Sequence, residues 1–120
     1  MIPVSEPVTP VEVIRHLAAL SRELDHAVEV LHTSDLAAYE ADRILDAAYA
    51  RAFIAAAGSV EARKHTADLG TMQQREAADV SKAARDHAKN RLRSIERRID
   101  VGRSFNSALR AEASLAAVGT

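Results

Sequence analysis

The sequence predicts an all-α protein: a long antiparallel helical hairpin, coiled-coil-like, turning at residues 58–60 and assembling into an oligomeric bundle. Three observations carry this reading. Alanine, arginine, the acids and leucine dominate a chain with only Gly 4 and Pro 3, a composition of long helices. Thr9-Pro10-Val11-Glu12 is a helix-start signal, and no proline follows it. Apolar residues then recur at alternating spacings of three and four on both sides of one mid-chain break.

Residues 1–8 hold two of the prolines and are expected as a flexible arm ahead of a single helical domain over 9–120. Thr9 suits an N-cap, Pro10 the first helical position and Glu12 the third, so hydroxyl and carboxylate can each satisfy the other residue's amide. A helix over 9–57 follows. Its seam is Ile14, Leu17, Ser21, Leu24, Val28 and Leu31. His32-Thr33-Ser34-Asp35 interrupts the apolar pattern; it reads as a short turn in which Thr33 or Ser34 recaps a third helix, or as a polar stretch of a continuous one. Gly58 suits the position after a helix, where positive φ is wanted, and Ser59 can cap the next. A second helix is expected over 60–117, with Gly70 and Gly102 inside it, each costing about 1 kcal/mol relative to alanine. Its seam is Leu92, Ile95, Ile99, Gly102, Asn106 and Leu109.

Folding the chain at its middle matches the two arms. Leu17 meets Val101, Leu20 meets Ile99, Leu24 meets Ile95, and Ile14 meets Phe105. Nearer the turn, alanine faces alanine. Opposite charges fall together as Glu29 with Lys89, Asp25 with Arg93, Arg22 with Glu96, Glu23 with Arg97, Asp42 with Arg75 and Arg43 with Glu76. One hairpin leaves each helix a single neighbour and buries little apolar area, so a homo-oligomer is expected.

The net charge of −1 hides an asymmetry: residues 1–60 carry nine acids against four bases, and residues 61–120 eight acids against twelve bases. The two halves either pair with each other or present a basic half to a polyanion. There are no cysteines, which excludes disulfides, thiolate metal sites and thiol catalysis. No stretch is apolar enough to span a membrane and the start has no signal-peptide pattern, so the expected location is the cytoplasm.

Lys82, Arg85, Lys89, Arg93 and Arg97 lie in a basic run over 82–103 that can track phosphates. No aromatic residues interleave with it to stack bases, so pairing with the acidic arm competes with weak nucleic-acid contact. His32, His87, Asp35 and Asp86 come near one another in the hairpin, either as a divalent-cation site or as helix histidines meeting by chance. No HExxH, GxSxG, Gly-rich phosphate loop or Glu-x-x-His pattern occurs; neither an enzyme nor a cofactor is expected. Ile44, Tyr49, Phe53, Leu24, Ile95 and Ile99 are the candidate oligomer or partner interface; Tyr49 and Phe53, at i, i+4, form one patch on the alanine-rich segment that also carries Tyr39.

Ala-Arg-Ala-Phe-Ile-Ala-Ala-Ala-Gly-Ser-Val-Glu-Ala-Arg-Lys at 50–64, Arg-Ile-Asp-Val-Gly-Arg-Ser at 98–104 and Leu-Arg-Ala-Glu-Ala-Ser-Leu-Ala at 109–116 resemble a family of small helical proteins of phages and prophages of high-GC Gram-positive bacteria. The likeness covers roughly residues 35–117. It implies a phage accessory or adaptor protein acting by protein–protein contacts near DNA replication and recombination, and it brings no catalytic or binding residue with it. Size and mid-chain turn also resemble the small secreted hairpins of type VII systems, but the turn lacks Trp-x-Gly and the end lacks a Tyr-x-x-x-Asp/Glu signal. Direct DNA binding through 82–103, and a structural or host-factor-inhibiting role, are the other readings.

Overall fold

The computed structural model describes residues 9–119; the arm expected at 1–8 lies outside them. The chain is all-α, with helix α1 at Pro10–Ala55, α2 at Val60–Gly70 and α3 at Met72–Val118.

The start of α1 is the capping box read from the sequence. Thr9 Oγ1 accepts from the Glu12 amide at 3.2 Å, and the Thr9 amide donates to Glu12 Oε2 at 3.3 Å. The helix then runs without interruption through 32–35, so the break considered there does not form. Leu31, Ser34 and Asp35 are half-buried and Ala38 is buried on the same side. That face stays packed on both sides of the polar stretch, and no glycine or proline offers a cheaper alternative to the helix.

The turn is built as its residues demand. Gly58 has φ 106°, a conformation side chains resist. Ser59, in extended geometry, accepts from the Ala62 amide at 3.2 Å and caps α2. Arg63 Nε donates to the Gly58 carbonyl at 3.1 Å, tying the turn to the helix that follows.

The single helix expected over 60–117 is two helices, because the chain is interrupted at Thr71. The Thr71 amide bonds to the Asp68 carbonyl at 3.4 Å, three residues back instead of four. The Ala67 carbonyl receives the Thr71 hydroxyl at 2.7 Å in its place. Gly70 makes the deviation cheap. Thr71 is itself buried, and its carbonyl accepts from the Arg75 amide at 3.0 Å as α3 begins. Thr71→Val should therefore cost about 1–3 kcal/mol, because it keeps the shape and strands a buried carbonyl, whereas Thr71→Ser should cost much less. Urea unfolding curves for the two variants check this.

The residues divide into two compact units. In the unit Glu29–Lys89 the buried side chains are small: Ala38, Ala67, Ala78, Ala88 and Thr71. This is the alanine-on-alanine packing expected near the turn, and it lets helices approach closely. Gly70 belongs to it, since a Cβ there would lie 3.9 Å from that of Ala52.

The other unit joins residues up to Val28 with residues from Asn90 onward, the two helical segments running antiparallel. Its core is Leu20, Ala27, Ile95 and Ile99, with Leu17, Leu24 and Leu92 packed against them. On α3 the buried and half-buried residues Leu92, Ile95, Ile99, Gly102, Asn106 and Leu109 are the expected seam. On α1 the seam is turned by one residue. Val13, Leu20 and Ala27 are buried, while Ile14, Ser21 and Val28 are exposed. Opposite Leu17 stands Gly102 in place of Val101: a Cβ at 102 would come within 2.8 Å of Leu17 Cδ2. Val101 is 70% exposed.

Candidate interaction surfaces

The antiparallel arms interleave the acidic and basic halves of the chain. Glu29–Lys89 holds ten acids and eight bases; residues 9–28 with 90–119 hold six acids and eight bases. Neither unit carries a strong field of one sign.

The individual ion pairs differ from those expected. Glu23 meets Arg98 at 3.6 Å, not Arg97, and Asp42 meets Lys82 at 3.2 Å, not Arg75. Arg75 lies 3.4 Å from Asp68 and Arg43 pairs with Glu40. Among the described residues Glu29–Lys89, Asp25–Arg93 and Arg22–Glu96 form no ion pair. The turn and the interruption at Thr71 set a register that spacing along a uniform helix does not give. All these pairs are partly exposed, and such pairs contribute about 0–1 kcal/mol each.

The basic run therefore separates by residue. Lys82 is held by Asp42. Arg85 is half-buried, with one guanidinium nitrogen 3.5 Å from Asp86 and Nε buried without a hydrogen-bond partner. Lys89 is half-buried. Arg93 and Arg97 are exposed, and among the described residues no carboxylate stands at ion-pair distance from either.

Of the candidate interface residues, Ile95 and Ile99 are taken up inside the chain. They are buried in the core, which removes them from a surface role. Leu24 is half-buried at the edge of the same cluster. Ile44 is exposed, and Tyr49 and Phe53 are half-buried with ring centroids 6.4 Å apart in a stacked arrangement. Tyr39 is exposed.

One surface went unread. Val13, His16, Arg97, Arg98, Val101 and Phe105 line an apolar groove of about 320 Å³. The sequence matched Val101 to Leu17 and Phe105 to Ile14; Gly102 stands opposite Leu17 instead, and Val101 and Phe105 line the groove. The pair Val101-Gly102 held the clue, since a glycine in an apolar seam marks a close approach.

The described residues contain no cluster of three or more His, Cys, Asp or Glu able to hold a metal, so His32, His87, Asp35 and Asp86 do not form such a group. No described helix is long and apolar enough to cross a membrane. Comparisons with protein-family models, with curated proteins and with solved structures find no match.

Proposed function

We propose that this chain is a non-enzymatic accessory or adaptor protein of a phage or prophage, acting in the bacterial cytoplasm through protein–protein contacts, its own copies included. The observation that carries the reading is the distribution of large apolar side chains. The core of each unit is narrow, and that of Glu29–Lys89 is built on alanine. Meanwhile Leu36, Tyr39, Ile44 and Ile54 in one unit, and Ile14 and Val28 in the other, stand in solvent. Leu36 and Tyr39, at i, i+3, adjoin on α1, and adjoining exposed apolar side chains support an interaction surface. The phrases at 50–64, 98–104 and 109–116 support the phage setting and a partner in DNA replication or recombination.

The test is capture from a lysogenic host with tagged wild-type protein and an Ile44→Glu/Tyr49→Glu variant. Wild type should retain a phage replication or recombination protein that the variant loses while keeping its circular dichroism spectrum. Identical captures by both proteins would sink the reading.

The exposed guanidinium groups of Arg93 and Arg97, unpaired among the described residues, favour direct DNA contact as a second reading. With a net charge of −1 there is no long-range attraction, so binding should vanish by about 0.15 M salt. Submicromolar binding that persists there, with a salt slope lost in Arg93→Glu/Arg97→Glu, would make DNA the partner.

A further inference from the structure

Helix α1 carries two apolar stripes side by side. Val13, Leu17, Leu20, Leu24 and Ala27 face α3. Ile14, Leu17, Ser21, Leu24 and Val28 form the second, at the same alternating spacing of three and four. Leu17 and Leu24 belong to both and are half-buried, with one side committed to the core. Ile14 is 55% and Val28 51% exposed. The second stripe thus has the pattern of a coiled-coil seam and lies open.

We propose that a second copy of this chain covers that stripe, the two α1 helices pairing antiparallel along Leu17–Val28 about a two-fold axis. The proposal rests on the reading of the protein as one that acts through protein contacts, and it names the surface and the occupant.

Two observations support this occupant and this direction, the charge order being the one that discriminates. The first is spacing. From Leu17 the stripe steps four, three and four residues to Ser21, Leu24 and Val28, and it reads the same backwards. An antiparallel copy therefore sets Leu17 against Val28 and Ser21 against Leu24, and the axis repeats each contact. A self-complementary surface is what a two-fold dimer needs, and the small Ser21 leaves room for the opposing leucine.

The second is charge order. Arg15 and Arg22 precede Asp25 along the solvent side of the stripe, and among the described residues none of the three has an ion-pair partner within the chain. Antiparallel pairing brings Asp25 of each copy beside Arg22 of the other. Parallel pairing would put Asp25 and Arg22 of one copy on the opposite flank of the seam from those of the other, so they could not pair.

The absence of native cysteine makes cross-linking clean. Leu17→Cys and Val28→Cys variants are oxidised alone and after co-refolding. A disulfide-linked dimer should form only in the mixture, because each position lies roughly 16 Å from its own copy in the antiparallel seam, beyond disulfide reach. Linkage of each variant alone would show a parallel seam and overturn the proposal. In sedimentation equilibrium wild type should be dimeric at micromolar concentration, and Val28→Glu should weaken association roughly tenfold or more with an unchanged circular dichroism spectrum. A monomeric wild type overturns the proposal, as does a Val28→Glu variant that still dimerises. In the latter case self-association uses another surface and the interaction reading survives. Loss of a captured phage protein by Val28→Glu, with the dimer intact, would assign the stripe to that protein instead.

Discussion

Leu20→Ala should destabilise the protein by about 3 kcal/mol, within the range of about 2–5 kcal/mol typical of a buried leucine truncation. Leu20 is 1% exposed, at the centre of the cluster with Ala27, Ile95 and Ile99. The loss has two parts: the transfer free energy of the missing atoms, and the cavity left because helices held by their neighbours close over it only partly. Few large side chains are fully buried among the described residues, so the deletion removes a large share of a margin that is itself only about 5–15 kcal/mol in ordinary domains. Ile95→Ala should cost a similar amount. The double variant should depart from the sum of the two, because both residues line the same space. Urea unfolding followed by circular dichroism measures all three. An unfolding midpoint for Leu20→Ala equal to that of wild type would show that this cluster is not what holds the segments together.

Most of the backbone plan was written in local chemistry. Thr9 and Glu12 form the capping box because both partners sit within one helical turn, and nothing distant can change that spacing. Gly58 and Ser59 likewise make their turn from their own conformational preferences. The α3 seam was legible because Leu92, Ile95 and Ile99 recur at helical spacing, although Val101 and Phe105 outside it were matched to the other arm as well. On α1 the competition was close. Val13, Leu20 and Ala27 form one row and Ile14, Ser21 and Val28 the next, and Leu17 and Leu24 serve both. Periodicity accepts either row; only the position of α3 chooses between them.

The same dependence on distant geometry explains the surfaces. An ion pair across two helices needs the register to be right within a residue or two, and the Thr71 interruption alters it without an obvious flag. Gly70 was visible as a weak point, but whether a glycine stops a helix depends on what its neighbour can do. Here the Thr71 hydroxyl can replace a backbone donor in a buried place. The uniform register pairs Arg93 with Asp25 and Arg97 with Glu23, yet among the described residues both stand unpaired, whereas Lys82 is held by Asp42. The candidate nucleic-acid residues thus differ from one another in a way their common charge did not reveal.

Ser34→Pro should cost about 3 kcal/mol or more, and it tests the point where the sequence left two alternatives open. Were the chain broken at 32–35 with Thr33 as a cap, position 34 would be the first residue of a new helix. Proline is welcome there, because its fixed φ suits the helix and its missing amide would have had no partner. In the structure Ser34 lies inside α1, half-buried and more than twenty residues from either end. Its amide belongs to the hydrogen-bond ladder, and a proline ring would meet the carbonyl one turn back. The substitution therefore removes one bond, strains another and bends the helix where Ala38 must stay packed. Ser34→Ala controls for loss of the hydroxyl and should be neutral or slightly stabilising, since alanine is the better helix former. The readouts are the urea midpoint and the helical circular dichroism signal. A Ser34→Pro protein as stable and as helical as Ser34→Ala would mean that α1 is two helices after all.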